Sequence, residues 1–111
     1  VAVPAFTLPE KPGREAPQKL IKHLRRLDEL GPETRQVQAE MERVGDAMDA
    51  WLDQLDQAIS DERKKEWPNK KRLKRLGEQR DALYEVQQAL QNQEIEAAIE
   101  SLKKAFPPRG T

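Results

Sequence analysis

Four carboxylates in the middle of the chain are spaced so that they could act together: Asp46, Asp49, Asp53 and Asp56. Separations of three and four residues place side chains on one side of a helix, where carboxylates could share a divalent cation. Helical metal sites, however, direct their carboxylates into the bundle core from several helices. The apolar residues Met48 and Trp51 mark the inner side of the same helix, so the four aspartates fall on its outer side. We therefore predict no metal ligands here, but a solvated acidic surface that meets cations of this chain or of a partner.

The chain offers few groups for catalysis. It has no cysteine, and its single histidine, His23, lies among the cations Lys22, Arg25 and Arg26. Spacing assigns this imidazole neither a nucleophile nor a carboxylate partner, so we expect a structural histidine at the surface or core edge. The sequence has no glycine-rich phosphate loop, no helical His–Glu metal motif and no activated-serine signature. These observations predict a non-enzymatic protein without a cofactor, a metal or a small-molecule substrate.

Positive charge is concentrated between residues 63 and 80. This window holds nine cations and two acids, a local charge of +7, whereas residues 33–56 hold seven acids and two bases, a local charge of −5. The whole chain has 20 basic and 20 acidic side chains, so its neutral total conceals a strong polarisation along the sequence. The candidate anion or partner patch is formed by Arg63, Lys64, Lys65, Trp67, Lys70, Lys71, Arg72, Lys74 and Arg75.

Three interpretations of this patch are open. Lys70, Lys71 and Arg72 fall in the first turn of a predicted helix, where the dipole disfavours cations by about 0.3–1 kcal/mol each and free backbone N–H groups attract anions. Trp67 could stack on a base or fill an apolar pocket of a protein partner. The patch thus suits an acidic protein or a nucleic-acid backbone, or its cations pair with Asp61, Glu62 and the acids of the facing helix while Trp67 packs under the turn. No groove-reading motif is present, so sequence-specific readout is not predicted.

The acidic residues and the patch lie on two predicted helices that meet at a turn around Trp67. The first helix carries a heptad seam in which spacings of four and three alternate, a pattern typical of coiled-coil-like packing. Pro68 stops this helix by about Glu66, and Asn69 is suited to cap the next one. Gly45 within the seam fits a closely approaching second helix. The candidate helix-packing seam is Val37, Met41, Val44, Met48, Trp51 and Leu55.

Shorter apolar faces on either side predict two further helices. Leucines and an isoleucine at helical spacing define a first helix, which Gly31 and Pro32 end. After Leu90 the apolar stripe slips by five residues before it resumes at Ile95. This slip predicts either a short turn followed by a fourth helix, or one long helix that changes partners.

Together these patterns predict an all-α fold, an antiparallel coiled-coil-like helical hairpin with a short helix at each end. The predicted segments are an extended proline-rich arm 1–16, a single helical domain 17–106 with helices about 17–30, 33–66, 69–91 and 93–106, and a tail 107–111. In the arm, Phe6 and Leu8 either fray with the terminus or dock on a partner. One amphipathic hairpin cannot cover its own seam, so either the terminal helices complete a small bundle or two copies of the chain do.

The predicted function is interaction. Leu, Ile, Val and Phe make up only about a fifth of the chain, so the core is thin. A thin core with an uninterrupted seam predicts a protein–protein interaction or assembly module, whose partner is another helical protein or a second copy. The alternative is an accessory nucleic-acid-binding subunit that contacts phosphates through the basic turn 63–80. No apolar run approaches the roughly 18 residues of a membrane span, and a cytoplasmic setting fits the cysteine-free chain.

Overall fold

A computed structural model describes Phe6 and residues 15–107 of the 111-residue chain. Within these residues the fold is all-α, as predicted, and contains no strand. None of the helices there combines the length and the apolar character that crossing a bilayer requires. Leu8 and the rest of the predicted arm up to residue 14 lie outside the described residues, as does the tail after Pro107. The helices are α1 (Ala16–Leu30), α2 (Arg35–Lys64), α3 (Lys70–Gln91) and α4 (Ile95–Ala105).

A tight corner separates α1 from α2. Gly31 has a φ of +105°, which side chains with a Cβ rarely adopt, and its N–H donates to carbonyls of the last turn of α1 at 3.2 and 3.3 Å. Thr34 donates both its backbone N–H and its hydroxyl to the Gly31 carbonyl, at 3.1 and 2.8 Å. Because this turn continues as far as Thr34, α2 begins at Arg35 rather than at the predicted Glu33.

The predicted seam of α2 lies in the hydrophobic core. All six of its residues are buried, from Val37 to Leu55. α3 runs antiparallel to α2, since Gln87 bonds to Asp49 and Arg80, earlier in α3, bonds to Asp56, later in α2. Leucines and Val86 on the inner face of α3 join the same core. The helical hairpin is therefore confirmed.

The slip after Leu90 is a turn between two helices. Gln93 adopts a left-handed φ of +62°, and its N–H donates to the Leu90 carbonyl at 3.1 Å. The N–H of Glu94 donates to the Ala89 carbonyl at 2.8 Å, which satisfies a second carbonyl at the end of α3. Of the two alternatives, the short turn with a separate fourth helix is correct, and α4 begins at Ile95.

The terminal helices cover the seam within one chain. α4 returns along α3, where the side chain of Gln79 donates to the Ala105 carbonyl at 3.1 Å. α1 packs on α4, and Gln18 near its start donates to the Phe106 carbonyl at 3.3 Å. Phe106 in turn lies edge-on to Trp51, with ring centroids 6.0 Å apart. The four helices thus form a bundle around the first half of α2, and the seam is not left open as a surface for a second helical chain.

Beyond this bundle α2 and α3 continue as a two-helix projection. Gln79 bonds to the Ala105 carbonyl and Trp51 contacts Phe106, so the end of α4 lies beside Gln79 and Trp51. Residues 52–79, which we call the hairpin arm, extend past this point. The stretch of α2 after Trp51 corresponds to about 20 Å of helix. The arm has its own apolar contacts, which include Ile59 and Leu76, and it contributes to the extents of 54 × 28 × 21 Å.

Candidate partner-binding site at the tip of the hairpin arm

The turn at the end of the arm follows from two residues. Pro68 disfavours helical backbone angles in the residue before it, and α2 ends at Lys64. Lys65 is already extended, with φ −67° and ψ 149°. Asn69 then accepts a hydrogen bond from the N–H of Arg72 at 3.1 Å, as a side-chain cap of α3. The turn is thus defined at both ends.

A buried carboxylate holds the turn in place. The side chain of Glu62 is only 2% exposed and lies 3.2 Å from Lys65 Nζ and 3.1 Å from Arg72 Nε. It also accepts the backbone N–H of Asn69 at 3.2 Å. The pKa of Glu62 is lowered, first by this backbone hydrogen bond and then, against the opposing effect of desolvation, by Lys65 and Arg72. Glu62 therefore joins the end of α2 to the start of α3.

Trp67 points away from the protein. Its residue surface is 84% exposed, more than that of any other large apolar residue in the described part of the chain. The expectation that Trp67 could pack under the turn is therefore wrong. The reason is that Glu62 and the Asn69 cap already satisfy the turn, so its stability does not require the indole. An exposed indole on a turn held by hydrogen bonds is typical of a contact residue.

Most cations around Trp67 have no acidic partner within the described residues. The nine residues of the predicted patch, now called the basic tip, are all exposed and lie at the end of α2, in the turn and in the first turns of α3. Among them Lys65 and Arg72 pair with Glu62. Within the described residues, six make no hydrogen bond or ion pair through their side chains: Arg63, Lys64, Lys70, Lys71, Lys74 and Arg75. Pairing with the chain's own acids thus accounts for a minority of the tip charge.

The four aspartates of α2 lie on the surface nearer the bundle, as predicted, and we call them the acidic face. Asp49 accepts a hydrogen bond from Gln87 at 2.8 Å, and Asp56 pairs with Arg80 at 3.4 Å. Asp46 and Asp53 are exposed and make no such contact within the described residues. No cluster there could hold a metal ion. Half of the acidic face is therefore bonded to α3, and half is free to meet other cations.

The structure separates the predicted patch from the predicted seam. All six seam residues are buried. Five of them lie in the bundle, and the sixth, Leu55, is buried in the hairpin arm. The basic tip lies beyond them on the arm. A partner therefore reaches the tip without opening the core.

Sequence reasoning missed the cluster around His23. The imidazole is buried, and Nε2 lies 3.1 Å from Glu40 Oε2, so the ring N–H donates to the carboxylate. Arg43 also donates to Glu40, and this contact raises the pKa of Arg43. Phe6 stacks on His23 at 4.9 Å, and its carbonyl accepts from Arg43 at 2.6 Å. Phe6 therefore docks on its own chain, which local spacing could not reveal.

Comparison with protein-family models, with curated proteins and with solved structures gives no match. The fold defines a class, a small four-helix bundle with a projecting two-helix arm. A function for this class must be argued from the site itself, because helical bundles serve many unrelated functions.

Proposed function

We propose that this protein is a non-enzymatic protein–protein interaction module that docks an acidic partner on its basic tip. One observation carries the proposal: Trp67 is 84% exposed on a turn held by Glu62, and six cations of the same tip are unpaired within the described residues. Exposing an indole to water is unfavourable compared with burying it, by about 1.5–3 kcal/mol for a large apolar side chain. A partner that covers Trp67 and neutralises the nearby cations would recover this free energy.

A protein partner fits the tip better than a nucleic acid. Surfaces that bind single strands carry several aromatic side chains on which successive bases stack. The basic tip has one, and the other exposed aromatic of the described residues, Tyr84, lies toward the bundle end of α3. Tryptophan at the centre of a charged rim is instead typical of the hot spots of protein interfaces. The proposal assigns the module to the cytoplasm, since a chain without cysteine relies on no disulfide.

The proposed function includes no catalytic step. Glu40 and Glu62, the two buried carboxylates of the described residues, both accept hydrogen bonds from neighbouring donors. These hydrogen bonds stabilise the fold. His23 is held between Phe6 and Glu40 in the bundle, far along the sequence from the exposed tip. The chemistry that the tip offers is charge and apolar contact.

Fluorescence anisotropy with two labelled probes of equal charge tests the proposal. The probes are an acidic peptide with one central leucine and a single-stranded RNA, titrated at low salt and at about 0.15 M, where the screening length is about 8 Å. We expect micromolar binding of the peptide, weakened at least about tenfold by Trp67→Ala or by Lys70→Glu with Lys71→Glu. The matched control, Lys22→Glu with Arg25→Glu, reverses two exposed cations of α1 and should bind like the unaltered protein.

Two results would contradict the protein-docking function. Equal peptide binding by the tip variants and the control would show that the tip is not the site. Tighter, tip-dependent binding of the RNA that survives physiological salt would establish the alternative, an accessory nucleic-acid-binding subunit.

A further inference from the structure

The acidic face and part of the basic tip share one side of the hairpin arm. On α2, Arg63 follows Asp56 by seven residues, two helical turns, so both side chains leave the same side of the helix. On α3, Arg80 and Gln87 are the residues that reach across to the acidic face. Tyr84 lies within about 60° of both around the helix, and it is 51% exposed. This side therefore carries acids and one aromatic toward the bundle, and cations toward the turn.

The middle of this side carries small residues. On α2 the position between Asp56 and Arg63 is Ser60, which is half-buried. On α3 the corresponding stretch contains Gly77, where an added Cβ would meet no heavy atom within 4 Å. Along the arm, this side is thus acidic near the bundle, carries small residues in the middle and is basic near the turn.

The charge pattern on this side of one arm is complementary to the same pattern on a second arm that runs in the opposite direction. Along the helix axis, the acidic face is centred at the level of position 51, and Lys65, just past the end of α2, lies about 21 Å further on. Ala58 lies halfway between them. Two arms placed antiparallel about a two-fold axis that passes Ser60, at about the level of Ala58, would bring each basic tip against the acidic face of the other arm, with the two middle stretches in contact.

We propose that the acidic face of a second copy is the partner surface of the basic tip, in a two-fold antiparallel dimer of hairpin arms. This inference rests on the proposed function of the tip and names its partner. Asp46 and Asp53, which are unpaired within the described residues, receive the cations, and Trp67 approaches the region of Tyr84. The two surfaces have opposite charge, so pairing a tip with an acidic face neutralises much of the local charge of both.

Closure favours this arrangement over a chain of copies. When a tip binds an acidic face without two-fold symmetry, the second tip and face stay open, and further copies add into a filament. The antiparallel pair makes both contacts at once, so the second contact is intramolecular and strengthens the first. Every charge involved is exposed, so self-association must weaken as salt rises.

A charge-swap experiment with the whole chain tests the dimer. One variant reverses two tip cations on this side (Arg63→Glu, Lys70→Glu) and another reverses two acids of the face (Asp46→Lys, Asp53→Lys), and all four residues are exposed and unpaired within the described residues. Sedimentation equilibrium is measured for the unaltered protein, each variant alone and their equimolar mixture, at low and high salt, and far-UV circular dichroism confirms that each is helical. The matched control reverses Lys22 and Arg25 of α1.

The expected result is a salt-sensitive dimer of the unaltered protein and of the control, with a Kd at least about tenfold weaker for each variant alone. The mixture should recover dimerisation to within about threefold of the unaltered protein, because the acidic groups introduced into the tip of one variant then meet the basic groups introduced into the face of the other. A mixture that stays monomeric, or variants that dimerise normally, would overturn the inference.

The acidic-peptide titration separates this inference from the function beneath it. The face-reversed variant retains its tip, so it should bind the acidic peptide at least as well as the unaltered protein does. If the unaltered chain is monomeric at low salt yet binds the peptide through Trp67, the dimer is wrong and the docking function stands. If it neither dimerises nor binds the peptide, both are wrong.

Discussion

At the residue scale, two buried carboxylates each join separate segments of the chain. Glu40 holds His23 and Arg43, which in turn hold Phe6. Glu62 gathers the donors of the turn. In both places the carboxylate is buried with its hydrogen bonds satisfied, which is the condition under which burial of a charge does not destabilise a fold. Neither arrangement follows from spacing alone, because partners such as His23 and Glu40 lie on different helices.

Replacing Glu62 by Gln is expected to change how stability depends on pH. The folded state lowers the pKa of Glu62, so its contribution to the free energy of unfolding is fully present above the unfolded pKa of about 4.3. That contribution is lost as the pH falls through the lower, folded pKa. Thermal unfolding between pH 7 and 3 should therefore show a lower Tm for Glu62→Gln at pH 7 and a shallower loss of stability in acid.

Glu78→Gln is the matched control, since it removes an exposed carboxylate from α3 that makes no ion pair within the described residues. Parallel Tm profiles for Glu62→Gln and the unaltered protein, down to pH 3, would contradict the role given to Glu62.

At the element scale, periodicity and chain breakers defined the helices well, while their ends depended on turn chemistry. The seam of α2 and the face of α4 have the spacing of amphipathic helices, and both are buried on the predicted side. α2 begins two residues after the approximate start predicted from the sequence, because Pro32 fits a first helical turn and a preceding corner equally well. The Thr34 hydroxyl donates a hydrogen bond to the Gly31 carbonyl, and this bond stabilises the corner before the helix begins.

Gly45→Ala is expected to stabilise α2. An added Cβ would lie 3.6 Å from Leu90 Cβ and 4.0 Å from the Gln87 carbonyl oxygen, which are ordinary van der Waals contacts. From the sequence, Gly45 is expected to permit the close approach of a second helix. The contacts above show that a methyl group at this position would also fit. Removing a glycine from a helix interior should raise the free energy of unfolding by about 0.5–1 kcal/mol.

Urea denaturation measures this change, and Ala50→Gly at an exposed position of α2 is the control, with a loss of about the same 0.5–1 kcal/mol. A Gly45→Ala variant less stable than the unaltered protein would mean that α3 packs too closely for a methyl group.

At the scale of the whole molecule, stability and exposed charge lie in different places. The bundle contains the fully buried side chains of all four helices, among them Trp51, Leu83 and Leu102. The arm has a two-helix core and carries the strongest concentration of cations. A partner that neutralises the tip would therefore stabilise the two-helix arm.

Amide hydrogen exchange should resolve this difference. We expect protection at residues 60–64 and 70–75 to be at least about tenfold lower than at residues 41–51, because fewer apolar contacts oppose local opening of the arm. Exchange followed by mass spectrometry at neutral pH measures it, and binding of the acidic peptide should slow exchange in the arm selectively. Uniform protection along α2 would show that the arm opens only when the bundle unfolds.

The sequence by itself determined the helical class, the helices and the sides on which their apolar and charged residues lie, because these features follow from spacing within a few residues. It also located the basic tip, since charge can be counted along a chain. Only the tertiary structure decided what the seam packs against, because that depends on where α1 and α4 return in space. The same holds for Trp67: a turn with this local sequence can bury or expose the indole. Contacts across the turn, such as that of Glu62 at the end of α2 with Arg72 at the start of α3, hold the turn while the indole stays exposed.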